Sequence, residues 1–192
     1  MNELLGTVGR LQIHRAAVKA DGVYDPAPLV AVEEASFDAG GMIGWDGSAW
    51  LLDNHHQSYP NGGTSQRRAV SVGFSAHYAS MSGRFGATVV PGVAAENIIV
   101  DSARAMSLEQ LRPGLEIRSS SGAALVLREP LVATPCREFT SCLLGLAARG
   151  TREELGDDLA FLDDGMRGYV FGTTTVTEPI RIMVGDPVYL SV

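Results

Sequence analysis

Leu115-Glu116-Ile117-Arg118-Ser119-Ser120-Ser121-Gly122-Ala123-Ala124-Leu125-Val126-Leu127 is the stretch on which the reading of the fold turns. Leu115 and Ile117 alternate with charged residues, and Leu125 and Leu127 resume the same spacing beyond a Ser/Gly break. A period of two belongs to half-buried strands, because successive strand side chains point to opposite faces. The stretch therefore reads as two alternating β-rich segments, 115–118 and 123–127, with turn residues between them.

The same signal recurs on both sides. Residues 4–14 alternate loosely around Val8, Leu11 and Ile13, and Leu29 to Phe37 reads as another strand, followed by a glycine-rich flexible segment, 40–44. Ala69 to Val72, Gly168 to Phe171 and Ile180 to Val184 are further strands, and Gly185 to Leu190 is a turn into a final one. Helical expectations are few: 75–82, a single turn at 107–111 ended by Pro113-Gly114, and 139–155, bent near Gly145 or Gly150. The 22 glycines and 9 prolines are dispersed, as short strands and tight turns require. Strands outnumber helices too heavily for alternating βαβ units. A mainly β barrel with a few short helices, one domain over residues 1–192, is the expected architecture.

Composition narrows the function classes. A formal net charge of -7 disfavours nonspecific binding to nucleic acid, whose phosphates reward positive surfaces. Lys19 is the only lysine, so pyridoxal-phosphate chemistry would have to rest on it alone. The other cations are arginines, whose planar fork suits bidentate contact with phosphate or carboxylate. No apolar run is long enough to span a membrane, and the start lacks the basic and apolar regions of a secretion signal. Cys136 and Cys142 do not make an extracellular disulfide framework, so the cytoplasm is the expected compartment.

Three stretches carry a resemblance: Pro91-Gly92-Val93-Ala94-Ala95-Glu96-Asn97-Ile98, Thr134-Pro135-Cys136-Arg137, and the tail from Gly165 to Asp186 containing Arg167-Gly168-Tyr169. Arg67-Arg68 entering a strand and Asp53-Asn54-His55 extend it upstream. In this order the chain resembles a MOSC domain, the C-terminal module of molybdenum-cofactor sulfurases that also occurs as stand-alone proteins. The resemblance implies a MOSC-like β-barrel that binds molybdenum cofactor (molybdopterin). It further implies that Cys136 either carries sulfur or ligates the metal during reduction of an N-hydroxylated substrate. The chain departs from the pattern at Leu52 and Ala95, where the family has glycine. Those departures support the alternative of a noncatalytic binding or scaffold protein that keeps the barrel.

Each candidate residue has a functional and a structural reading. Cys136, beside Pro135 and Arg137, is either a reactive thiolate or an inert thiol packed beneath a loop. Cys142, among Leu143, Leu144 and Leu146, reads as a helix core residue. Arg67, Arg68, Arg137 and Arg167 form a candidate clamp for a phosphate-bearing pterin, against the ordinary role of solvated charges. If Arg68 opens the strand through Val70 and Val72, Arg67 points to the opposite face. Glu96 and Asn97 either meet the pterin edge or, for Asn97, tie down a local turn. His55 is a pocket donor or proton carrier, or a loop histidine without a role. Asp53, His55 and His56 invite a metal reading, but only His14 and His77 remain to complete a set and no compact zinc spacing is present. With no desulfurase domain and no flavin or iron–sulfur motif, sulfur must come from a cysteine desulfurase, or electrons from an external electron-transfer reductase.

Overall fold

The structure is a computed structural model and describes residues 3–60, 70–86, 89–174 and 176–191. The expected segments 115–118 and 123–127 form an antiparallel pair, β10 (Leu115–Arg118) and β11 (Ala124–Val132), with Leu115 opposite Leu127 and Ile117 opposite Leu125. All four of those side chains are 0% exposed. The period-two reading therefore identified the inner face of the barrel.

Among the described residues, seven strands close into a ring. β1 (Glu3–His14) pairs with β14 (Pro187–Leu190), followed by β10, β11, β12 (Tyr169–Thr173), β8 (Val70–Phe74) and β9 (Ile98–Asp101), which returns to β1. Every neighbouring pair is antiparallel except β8 and β9. A parallel pair needs a long crossover, and α1 (Ser75–Phe85) lies within it. β1 is long enough to serve three partners in turn: β14, β9 and, at its far end, β4 (Leu29–Val32). Gly6 sits at a register shift in β1, where a Cβ would lie 1.8 Å from the Asp101 carbonyl oxygen, so a side chain there would prevent the approach of β9.

The span 29–37 is not one strand. It divides at Glu33 into β4, paired with β1, and β5 (Glu34–Asp38), which joins a second sheet with β6 (Gly41–Trp45), β7 (Trp50–Leu52) and β13 (Ile180–Met183). The glycine-rich segment expected to be flexible is β6, held between β5 and β7. Phe37, Met42 and Ile182 are buried with the barrel interior, where Val8, Leu11, Val72, Phe74, Ile98, Val100, Tyr169 and Phe171 meet.

A second apolar cluster covers the outside of the β8–β9 wall. Ile99, facing away from Ile98 and Val100, packs with Tyr78 and Met81 of α1. Phe139 and Leu143 of α3 (Arg137–Leu143), Leu162 of α4 (Gly156–Leu162) and Tyr24 of β3 (Val23–Tyr24) complete it; β3 forms a hairpin with β2 (Lys19–Ala20). The helix expected over 139–155 stops at Leu143. Gly145 turns left-handed (φ 65°), Leu144 and Leu146 emerge into solvent, and the chain runs as a loop until α4. The expected turn at 107–111 is α2 (Leu108–Leu111), closed by a reciprocal capping box between Ser107 and Gln110. No helix among the described residues is long and apolar enough to cross a membrane.

Candidate functional site

A cavity of about 430 Å³ opens where the end of β1, the β2 hairpin, the loop after β7, β8 and the segment entering β9 converge with the segments after β11 and before β12. His14, Lys19, His55, Ser71, Glu96, Asn97, Thr134 and Arg167 all contribute to its wall. The sequence candidates His55, Glu96, Asn97 and Arg167 are thus brought together. Arg67 and Arg68 lie outside the described residues. Arg137 opens α3 and does not line the cavity.

Asp53 organises one wall. It is 2% exposed, and its Oδ2 accepts the His14 backbone N–H (2.8 Å) and the Asn97 side-chain N–H (3.1 Å). Its Oδ1 accepts the backbone N–H (2.9 Å) and Nδ1 (2.8 Å) of His55. Burial raises the Asp53 pKa, but the bond from His55 and the neighbouring His14 outweigh it, leaving the carboxyl below its ordinary value. Because a carboxylate only accepts, His55 carries its proton on Nδ1 and directs Nε2 the other way.

His14, Asp53 and His55 have potential ligand atoms within 4.8 Å of one another, a grouping that sequence spacing did not expose. Four donors already converge on the carboxylate, however, so Asp53 acts here as the residue that orients His55. His14 Nε2 donates to the Ala95 carbonyl (3.0 Å), and burial lowers its pKa, keeping the ring neutral. His56 turns to Asp38 instead (3.0 Å) and lies outside this wall.

The floor is built from the segment before β9. Ala95 adopts a left-handed backbone (φ 67°), a conformation that favours glycine. Its methyl has not prevented the turn, whose carbonyl receives both His14 and the Ser71 hydroxyl (3.3 Å). The Asn97 amide is spent within the protein: Oδ1 accepts from Ser71 N–H (3.2 Å) and Oγ (2.9 Å), and Nδ2 donates to Gln12 O (3.3 Å) and Asp53. Asn97 thereby ties β8, β1 and the Asp53 loop together beneath the cavity.

Glu96 is 2% exposed, and its Oε2 accepts the Tyr78 hydroxyl at 2.5 Å; that hydroxyl in turn accepts Ala94 N–H (3.1 Å). Its Oε1 is buried without a hydrogen-bond partner. Burial pushes its pKa up to about 7, against the opposing pull of Tyr78, its own backbone N–H and Arg167. The carboxyl fits only because its neighbour on β8 is glycine: a Cβ at Gly73 would lie 2.5 Å from Oε1.

Arg167 links the cavity to Cys136. Its Nη1 donates to Thr134 O (2.9 Å) and lies 3.8 Å from Cys136 Sγ, while its guanidinium stacks over Phe139 (5.1 Å). Its Nε is buried and unpartnered. Cys136 itself is half-buried at the start of α3, where its carbonyl accepts Thr140 N–H (3.1 Å) and Oγ1 (2.9 Å). The adjacent Arg137 was the expected charge partner, yet a guanidinium 31 positions along the chain reaches the sulfur. Cys142 is a separate free thiol, half-buried in another cavity beside Tyr24, Glu138 and Arg149, with its pKa raised by burial and by Asp25.

Sequence reasoning missed Tyr78, Ser71 and Thr134 as site residues, and gave Lys19 no binding role. The only local sign of Tyr78 was its helical spacing with Met81, which identifies a buried face but not a proton donor.

No family model matches the chain. No curated protein matches it either. Solved structures do. The chain is similar to a YuaD protein from Bacillus subtilis at 17% identity and TM-score 0.58, covering 98% of this chain and 97% of that one. It is similar to a hypothetical protein at 12% identity and TM-score 0.56, covering 98% and 70%. YiiM from Escherichia coli aligns at 16% identity and TM-score 0.50, over 85% and 65%. The likeness at these identities is one of fold.

Proposed function

We propose that the cavity binds a phosphate-bearing pterin metal cofactor of the molybdenum-cofactor kind, with Cys136 at its edge as sulfur ligand or sulfur carrier. The observation that carries this reading is the position of Arg167, which lines the cavity and lies 3.8 Å from Cys136 Sγ. An anion drawn to that guanidinium is thereby brought beside the thiol. The MOSC resemblance of the sequence supports the same reading.

The residues present fit such a group. Arg167 and Lys19 offer positive charge in a wall whose Glu96 Oε1 and Arg167 Nε lack partners, as expected of atoms reserved for a ligand. When bound, the cofactor would supply a redox-active metal with affinity for sulfur. The chain's own contribution is to hold the phosphate at Arg167 and Lys19, to orient His55 through Asp53, and to keep a proton on Glu96. As a sulfur carrier the protein requires a cysteine desulfurase partner; as a reductase of N-hydroxylated substrates it requires an external electron donor. The scaffold reading has one observation in its favour: Cys136 is half-buried and stands behind Arg167, outside the residues that line the cavity.

Purified protein incubated with molybdenum cofactor and desalted should retain metal and pterin together. Arg167→Ala should lose both, and Cys136→Ala should lose metal preferentially. Retention unaffected by Cys136→Ala refutes the ligand role. Cyanolysable sulfur on the native protein, absent from that variant, supports the carrier role. Absence of both signals leaves the scaffold reading standing.

A further inference from the structure

Two buried polar atoms without partners belong to residues that line the same cavity, and they are complementary. Arg167 Nε–H is a donor on a fixed positive charge, and Glu96 Oε1 belongs to a buried carboxyl. Arg167 and Glu96 are close enough for the guanidinium charge to act on the carboxyl, yet no direct ion pair joins them among the described residues. Their neighbours hold both in place. Thr134 O and the Phe139 ring fix Arg167, Tyr78 fixes the far oxygen of Glu96, and Gly73 leaves room for the near one. A cavity whose lining residues hold one unsatisfied donor and one unsatisfied carboxyl oxygen suits a third group.

We infer that Glu96 and Arg167 form an oxyanion subsite in which a ligand's phosphate-like group binds Arg167 only while Glu96 is protonated, so that anion binding takes up a proton. The protonated carboxyl donates from Oε1 to one ligand oxygen, and the guanidinium neutralises the ligand's charge. Once ionised, Glu96 repels that charge and competes for Arg167. The inference deepens the proposed ligand reading, because it assigns the anionic end of the ligand to a particular pair of residues. By reciprocity, the factor by which protonation strengthens anion binding is the factor by which the bound anion strengthens the hold on the proton.

Other titratable groups face this pair. Tyr78 on α1 and Tyr24 on β3 have pKa values raised primarily by burial and remain neutral. Burial lowers His14 on β1, while His55 beyond β7, Lys19 on β2 and Cys136 before α3 complete the surroundings. The test separates Glu96 from these neighbours.

Sulfate is the probe, since its own charge is constant over the relevant range and it needs neither pterin nor metal. Titration calorimetry on the native protein should show affinity weakening about tenfold for each pH unit above about 7. Repeating it in buffers of different ionisation enthalpy should show uptake of about one proton per sulfate on that limb. Glu96→Gln keeps the acceptor for Tyr78 and should bind sulfate with little pH dependence. Tyr78→Phe removes a bond that favours the carboxylate, so its midpoint should move to higher pH. Arg167→Ala should abolish binding. A slope that survives Glu96→Gln assigns the effect to one of these neighbours and overturns the inference. Sulfate binding without proton uptake, or no sulfate binding to the native protein, does the same. Since Cys136 and the cofactor play no part, these failures are distinct from failure of the cofactor reading.

Discussion

Replacing Asp53 by Asn tests whether the His14–Asp53–His55 wall is a hydrogen-bonded scaffold. The native carboxylate serves four donors, and Asn retains one acceptor oxygen while adding two donors of its own. With the new NH2 at the Oδ2 position it would oppose His14 N–H and Asn97 Nδ2, both buried. With it at the Oδ1 position it opposes His55, whose side chain is 45% exposed. The second orientation costs less. It still converts two charge-assisted bonds to neutral ones, at about 1 kcal/mol each, and leaves the His55 N–H without its acceptor, for about 1 kcal/mol more. Asp53→Asn should therefore destabilise the protein by about 3 kcal/mol at neutral pH in urea denaturation. The folded carboxyl titrates below its ordinary 3.8, so its stabilisation is present above that pH and lost as the pH falls through the folded value. The gap between native and variant should accordingly close in acid. His55 supplies an independent readout: with an amide opposite Nδ1, its proton moves to Nε2, a tautomer change visible in nitrogen NMR. A loss below about 1 kcal/mol with the native tautomer retained would refute the scaffold.

Two further outcomes follow from Glu96. Its pKa rises from 4.5 unfolded to about 7 folded, so the stability that Glu96 itself contributes is fully present below 4.5 and falls by about 3 kcal/mol, at about 1.4 kcal/mol per pH unit, as pH climbs through that interval. Denaturant midpoints of Glu96→Gln should lack this decline, and a parallel decline would place the titration elsewhere. Gly73→Ala puts a Cβ 2.5 Å from Glu96 Oε1 and 2.9 Å from Ile99 Cδ1. Thermal or chemical unfolding should register about 2 kcal/mol of lost stability, and sulfate affinity should fall with it.

The sequence disclosed what depends on local periodicity and concealed what depends on register. Leu115, Ile117, Leu125 and Leu127 face inward because strand side chains alternate, which can be read without knowing any partner strand. The division of 29–37 between two sheets could not be read that way, since Val32 and Phe37 are both buried and only their pairings differ. The helix over 139–155 failed because its apolar spacing continues past Gly145 while the backbone there turns left-handed. In the site, His55, Glu96, Asn97 and Arg167 were legible as polar residues in a resembling order. Their division of labour was not. Asn97 spends its amide on Ser71, Gln12 and Asp53, contacts separated by 26, 85 and 44 positions, which no local pattern signals. Cys136 meets Arg167 in the same way, through the tertiary fold and across the chain.

The seam between β1 and β14 sets the order in which this molecule can be assembled. Glu3 pairs with Leu190, so the ring closes between residues almost a whole chain length apart. During synthesis β1 precedes the other strands of the ring and must wait, with the edge meant for β14 open, until β14 has been made. β10 waits as well, because its second neighbour is that same last strand. Closure at such separation carries a large loop entropy and slows folding, and open strand edges invite pairing with other chains meanwhile. A chain stalled before Pro187 thus leaves the β14-facing edges of β1 and β10 both open, two adhesive edges in place of a finished wall.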